Sequence, residues 1–442
     1  MAQATYHFPK NFLWGTATSS HQVEGNNTNN NWWAWEQENG RIRGGAKSGL
    51  ACDWWGGRWR EDLDRAAEGG QNAHRLSIEW SRVQPAPDRW DEEAIDRYID
   101  ILRGLKERNI SPLVTLHHFT DPLWLAEMGG WENEKVVSCF ADYTGKVVDA
   151  FREYVKSWTT INEPVHLFLF GYLTGGWPPG KKSLSSAVRV IENIVRAHAA
   201  SYRIIHRLQP QALVGVAHTY RPFLPHTAWS LLDRIAVPVY SSIYNEFFPR
   251  ALSIGVLRFP GWTRRIPEAK ATQDYVGINY YTHEIVTGNP AKLNEMAEAP
   301  TFPPGSDLSE HDYIANYPQG MFQALKWALK FNLPILITEN GVEDSADHIR
   351  PRYLIQHLHQ VWRAVNFNYP VQGYFHWSQV DNFEWDRGWT QRFGLWELNP
   401  ETQARRKRPS ADLYAEICLE NGISSEMVAR YAPEVFEKLF PN

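Results

Sequence analysis

The stretch SWTTINEP, residues 157–164, sets a short β-branched run against a polar end. Thr159, Thr160 and Ile161 favour a strand, and Asn162, Glu163 and Pro164 close it. A bare carboxylate at the end of a buried strand is costly, so Glu163 must be solvated, paired or used. The same design recurs along the chain. FLWGTAT (12–18), AHRLSIEW (73–80), SPLVTLHH (111–118), ALVGVAHT (212–219), YVGINYY (275–281), LPILITEN (333–340) and VQGYFHW (371–377) also read as strands.

Amphipathic segments lie between these runs. Ile95, Tyr98, Ile99, Leu102 and Leu105 share one helical face, with Asp91 as the N-cap. Val136, Phe140, Tyr143, Val147 and Phe151 repeat that spacing. So do Ile191, Ile194, Val195, His198, Tyr202 and Ile205, and later Leu354, Leu358, Val361 and Val365. Ser410 is placed to cap a last helix that ends before Gly422. Strands alternating with helices, the strands nearly continuous in apolar residues, predict a parallel (β/α)8 TIM barrel with elaborated βα loops. No linker cuts the chain, so residues 1–442 form one catalytic barrel domain. Residues 26–70, 220–270 and 286–318 read as loops with short helices.

In such a barrel the C-terminal strand ends meet at one face. Gln22 and Glu24 follow the first strand, and Arg75 lies in the second. His117 and His118 close the third, and Asn162 and Glu163 the fourth. Asn279 and Tyr281 close the sixth, Glu339 and Asn340 the seventh, and Trp377 the eighth. His117 and His118 face opposite ways in a strand, so His118 is the one expected to face the site. Two carboxylates at one strand-end face suit glycoside hydrolysis: one gives a proton to the leaving oxygen, and the other attacks the anomeric carbon or activates water. A nucleophile must stay ionised, and Arg75 and Tyr281 are the partners available to Glu339. An acid must keep its proton, and a nearby Glu339 charge would raise the Glu163 pKa.

Composition narrows the classes. Net charge is −5, from 45 basic and 50 acidic side chains, which gives no basic face for nucleic acid. No run of about 18 apolar residues offers a membrane span. Three widely spaced cysteines, Cys52, Cys139 and Cys418, form neither a disulfide framework nor a zinc site. With no signal-peptide pattern at the N-terminus, a reducing, cytoplasmic compartment is expected. Asn26 begins an NNT acceptor that matters only in a secreted chain. The chain holds 21 Trp beside 20 Phe and 19 Tyr; flat indole faces suit sugar C–H surfaces as well as a core.

Long motifs in order resemble the family 1 glycoside hydrolases, the retaining β-glucosidase family: FPKNFLWGTATSSHQVEG (8–25), HRLSIEWSRVQP (74–85), PLVTLHHFTDPLWL (112–125), TINEP (160–164), VGINYYT (276–282), ITENG (337–341) and GYFHWSQVDNFEWDRGWTQRFGL (373–395). The resemblance spans roughly residues 7–422. It implies a (β/α)8 barrel without metal or cofactor, with Glu163 as acid/base and Glu339 as nucleophile. It implies Arg75, Asn279 and Tyr281 as orienting groups. Gln22, His118, Asn162, Glu384 and Trp385 would hold sugar hydroxyls, with Trp377 as the wall under the ring and Phe393 at the pocket edge. Phe119 stands where many relatives carry Trp. Glu384 would repel a sugar phosphate, so non-phosphorylated β-glycosides or short oligosaccharides are the expected partners, with glucosyl, galactosyl or fucosyl ends. Homo-oligomerisation is left open. Transglycosylation at the same site and a non-catalytic carbohydrate-binding role are the alternatives, the second disfavoured because both carboxylates are present.

Other signals carry less. GRIRGGAKSG (40–49) lacks the Gly-Lys pair of a phosphate loop. The HLH at 357–359 sits in a helix where positions two apart do not share a face. DNFEWD (381–386) lacks calcium-loop spacing.

Overall fold

A computed structural model describes residues 4–259, 261–289 and 300–441. Eight strands form a closed barrel: β1 (Leu13–Ala17), β2 (Ala73–Ser77), β3 (Ser111–His117), β4 (Ser157–Asn162), β5 (Leu213–Thr219), β6 (Tyr275–Asn279), β7 (Ile335–Asn340) and β8 (Val371–His376). Each pairs in parallel with its neighbours in chain order, and β8 pairs with β1 to close the ring. Every expected strand contains one of these eight. Several expected ends run long: His118, Tyr281 and Trp377 follow their strands rather than close them. Ile78 and Glu79 turn into the short helix Trp80–Val83.

The helices form by the expected periodicity. Asp91 caps Glu92–Glu107 by accepting from the Ala94 N–H at 2.9 Å. Val136, Phe140, Tyr143, Val147 and Phe151 are all buried on one face of Val136–Phe151. That face and Leu184–Leu208 pack with the outward side chains Val114, Leu116, Trp158 and Ile161 in one apolar layer. A second layer covers β6 to β8 with Pro318–Ala328, Arg350–Asn366 and Pro409–Glu420. Ser410 is not the cap of the last of these. Pro409 takes the first helical position, where its fixed φ fits and no N–H is lost. The flanking residue is Arg408, and Ser410 instead gives its N–H and hydroxyl to Asp347.

The long connections hold more order than loops with short helices. Residues 220–270 carry the helices Leu231–Ser241 and Phe247–Ile254 and an antiparallel hairpin, Val256–Phe259 with Trp262–Arg265; residue 260 lies outside the described residues. Of 286–318, residues 290–299 lie outside them too. After Pro409–Glu420, the strand Gly422–Ser424 pairs antiparallel with Thr5–His7, and the short helical segments Ser425–Tyr431, Pro433–Val435 and Phe436–Leu439 follow. Among the described residues no helix is long and apolar enough to cross a membrane.

One buried ion pair holds the loop after β8. Asp381 accepts from both Arg408 Nη1 (2.8 Å) and Nη2 (3.0 Å), and also from the Gly394 N–H. Both side chains are nearly solvent-free. Asp381→Ala strands the Arg408 charge, a loss of about 3–5 kcal/mol. We expect a clear fall in urea midpoint, and faster proteolysis between residues 377 and 396. Asp381→Asn, which keeps the shape, should lose less.

Candidate active site

At the C-terminal face of the barrel lies a cavity of about 760 Å³, its open mouth included. Glu163 and Glu339 both line it, with His118, Asn162, Tyr281, Trp377, Glu384, Trp385 and Phe393. The strands that deliver the two carboxyls are irregular at that end. β7 carries one extra residue against β8 between Ile337 and Asn340, and slips against β6 at the same place. β4 carries one extra residue against β5 between Thr159 and Asn162. A bulge breaks the strict alternation of side chains and re-aims them. Glu163 then adopts φ 41°, ψ 60° before the short helix Pro164–His166. Phe119 and Trp385, on the same cavity, also have positive φ. Such conformations cost about 1–3 kcal/mol each in a non-glycine residue and gather where function holds them.

Arg75 organises the floor. It is fully buried within the barrel. Its Nε donates to Thr115 Oγ1 at 3.1 Å, Nη2 to Asn162 Oδ1 at 2.7 Å, and Nη1 to Glu339 Oε1. Because a guanidinium only donates, Asn162 must turn its oxygen toward Arg75. Its Nδ2 then donates to His118 Nε2 at 3.0 Å, so the His118 hydrogen sits on Nδ1. That nitrogen is buried without a protein partner. Burial, with Arg75 and His117 nearby, keeps His118 well below the usual histidine range and thus neutral. Asn279 spends both Nδ2 hydrogens, on Asn162 Oδ1 and Glu163 Oε1, each at 3.1 Å, while its oxygen accepts from Thr338. Tyr281 donates to Glu339 Oε2 at 2.6 Å.

The acids divide unexpectedly. Burial lifts Glu339 to about 7; Arg75 opposes this and the Glu163 charge adds to it. Glu163 is also desolvated, but the charge and hydrogen bond of His166 outweigh this and hold it below the usual carboxylate range. The expected rise of Glu163 is therefore reversed. The cause is His166 itself, which the sequence reading passed over.

Other expected residues fall as follows. Gln22 does not line the cavity; it stands behind Glu384, donating to Glu384 Oε2 at 3.2 Å and to the Phe383 carbonyl at 2.9 Å. Glu24 pairs with Arg82, away from the cavity. His117 turns outward onto Asp121. Asn340 faces outward as well, donating to the Tyr280 carbonyl and Tyr353; of the three asparagines expected at the strand ends, Asn162 lines the cavity and Asn279 stands behind it. His118 lies near-parallel to Trp377 and Trp385, and Phe119 packs edge-on to Trp177 and Trp385. The sequence reading missed Trp177, Arg221 and Tyr313 in the lining. Arg221 and Tyr313 lie in segments it read only as loops with short helices. Among the described residues no group of three or more His, Cys, Asp or Glu could hold a metal.

The model of glycosyl hydrolase family 1 matches residues 4–423. Beta-glucosidase A of Thermotoga maritima is 30% identical over 451 residues, covering 94% of this chain and 98% of its own. A beta-galactosidase of Pyrococcus woesei is 30% identical over 512 residues, covering 95% and 98%. A solved beta-glycosidase from Pyrococcus horikoshii superposes with TM-score 0.89 at 37% identity, over 97% of this chain and 98% of that one. The Thermotoga maritima beta-glucosidase in complex with glucoimidazole does so with TM-score 0.88 at 29% identity, over 95% and 100%.

Glu384 gives a stability test. Burial, then the charges of Glu339 and Asp386, push its carboxyl up to about 8. A pKa raised on folding gives stability that is whole below the unfolded value near 4.5 and lost as pH rises through about 8. Glu384→Gln should therefore melt higher than the parent at pH 8.5 and at about the same temperature at pH 4.5, read by calorimetry.

Proposed function

The chain belongs to glycosyl hydrolase family 1 and is a β-glycosidase acting on β-glucosides or β-galactosides, and from that premise we propose that it works by double displacement with retention. Glu339 is the nucleophile and Glu163 the acid/base. The observation that carries this reading is the linkage of the two carboxyls across one cavity. Arg75 touches Glu339 and Asn162, and Asn279 touches Asn162 and Glu163. Such coupling suits the short gap of about 5–5.5 Å that direct attack requires.

In the first step a Glu339 oxygen bonds to the anomeric carbon while the bond to the departing oxygen breaks. Glu163 gives that oxygen its proton. Positive charge growing at the sugar favours an ionised Glu339, so the shared proton belongs on Glu163 as the bond breaks. Arg75 and Tyr281 aim the nucleophile. Ester formation then removes the Glu339 charge. In the second step Glu163 takes a proton from water, the water oxygen bonds to the anomeric carbon, and Glu339 leaves as carboxylate.

The sugar is held by groups with unused capacity. His118 Nδ1–H has no protein partner, and Asn162 retains one Nδ2 hydrogen beyond its bond to His118. Asn162 would serve the 2-hydroxyl, a contact that strengthens toward the transition state. Glu384, backed by Gln22, and Trp385 serve the remaining hydroxyls. Trp377 gives the ring a flat wall, and Phe393 closes the edge. Terminal non-reducing glucosyl, galactosyl and fucosyl groups fit this lining. The solved complexes of the Thermotoga maritima beta-glucosidase with glucoimidazole, castanospermine and deoxynojirimycin support a small sugar-like occupant.

Variant kinetics separate the roles. Glu163→Ala should cost about 10²–10⁴-fold on an alkyl β-glucoside, which needs the proton, and far less in forming the glycosyl-enzyme from a dinitrophenyl β-glucoside. Added azide should then yield the β-glycosyl azide. Glu339→Ala should abolish glycosyl-enzyme formation, and azide should yield the α-anomer from an activated donor. Product anomers read by NMR in the opposite sense would reverse the assignment. Tyr281→Phe, which removes one donor to the buried Glu339 carboxyl, should lower kcat/KM about tenfold and cost about 1–3 kcal/mol of stability.

A further inference from the structure

Glu163 has a partner for which the double displacement gives no task. His166 follows three residues later, on the helix Pro164–His166, and its Nδ1 lies 2.6 Å from Glu163 Oε2. Its Nε2 lies 2.5 Å from Tyr244 Oη. Tyr244 comes from the separate segment Ser242–Glu246. Behind Tyr244, Arg221 sits 4.9 Å from the ring centroid and pairs with Glu284 at 2.8 Å. Phe170 and Trp177 pack on the imidazole, and the ring lines the same cavity.

We propose that His166 is a positioning residue for Glu163: held by Tyr244 through one ring nitrogen, it grips the carboxyl through the other and exchanges one proton with it. The inference rests on the acid/base reading of Glu163. Two arrangements of equal total charge fit the 2.6 Å contact. In one, Nδ1 carries the hydrogen and Glu163 is a carboxylate, ready to act as base. In the other, Oε2 carries it, Nδ1 is bare and Glu163 is ready to act as acid. In both, Nε2 keeps its hydrogen and donates to Tyr244. Moving one proton across the contact thus loads Glu163 as the acid without exchange with bulk water; once that proton is on the leaving oxygen, Nδ1 and Glu163 are both bare until the second step. No proton is created: the one handed to the leaving oxygen is returned by the incoming water.

The groups facing the pair are Glu339, Arg75 and Asn279 from the barrel, Tyr281 after β6, Tyr244, and Arg221 with Glu284 behind it. Among them His166 is the titratable cation in contact with Glu163, and its charge lowers that carboxyl. Removing the imidazole raises the Glu163 pKa. The acid form then survives to higher pH, and the base form arises at higher pH. Both limbs that report Glu163 must move upward together. Lost packing alone would lower rates and leave both limbs in place.

The test uses His166→Leu, His166→Asn, Tyr244→Phe and Glu163→Ala in the full chain. The basic limb of kcat/KM is read with an alkyl β-glucoside. The acidic limb of kcat is read with a dinitrophenyl β-glucoside, under conditions where a burst shows the second step to be limiting. His166→Leu should shift both limbs up by about one pH unit. His166→Asn, which restores an N–H near Nδ1 but no charge, should shift them less, and Tyr244→Phe should give a smaller shift in the same direction. Should His166→Leu fail to fold, the Asn and Phe variants carry the measurement. Slower turnover with unmoved limbs across these variants overturns the proposal. Equal losses on both substrates in Glu163→Ala would instead overturn the acid/base reading itself, so the two failures are distinguishable.

Discussion

A guanidinium is sealed inside the barrel, and its three donor directions are taken by Thr115, Asn162 and Glu339. Arg75 has no route to solvent, so its charge requires a carboxylate beside it. That requirement fixes where Glu339 sits, and the rest follows by donor arithmetic. Arg75 turns the Asn162 oxygen; that choice sets the His118 tautomer through Asn162 Nδ2; Asn279 finishes the chain by reaching Glu163. A misplaced member would leave a buried polar group unmet at about 1–3 kcal/mol. Folding and chemistry therefore share a cause: the arrangement that neutralises Arg75 is the one that aims the carboxyls.

The barrel itself was readable because its strands are buried on both sides and its helices on one. Runs such as SPLVTLHH, and the face from Val136 to Phe151, announce those environments by period alone. Glu163 and Glu339 were readable because a carboxylate at a buried strand end is out of place unless employed. Where the reading failed, the determinants were not local. The bulges of β4 and β7 depend on register with neighbouring strands. They are invisible in either sequence segment, yet they decide that Asn162 faces the cavity and Asn340 does not. Ser410 looked like a cap because its residue type fits, but Pro409 claims the first helical position and Asp347 claims the serine.

His166 shows the same limit at closer range. Three residues beyond Glu163, at helical spacing, it could have been flagged as a neighbour. Nothing in the sequence says that Tyr244, 78 positions away, holds the far side of the ring. The protonation of Glu163 is thus governed by a contact whose two halves come from different βα connections. The flat aromatic lining behaves alike. Trp177 arrives from the connection after β4, and Trp377 and Trp385 from the loop after β8, so the abundance of tryptophan reads as core until the two loops converge.

The short antiparallel pair of Thr5–His7 with Gly422–Ser424 has a temporal meaning. It binds the approach to the first barrel strand to the segment that follows the last barrel helix, and the Trp14 indole N–H donates to Asn421 Oδ1 at 2.8 Å. During synthesis β1 leaves the ribosome hundreds of residues before its partner β8. The ring must therefore wait, with one edge of β1 open, until β8 has been made. The clasp comes later still, because Gly422–Ser424 follows β8 along the chain.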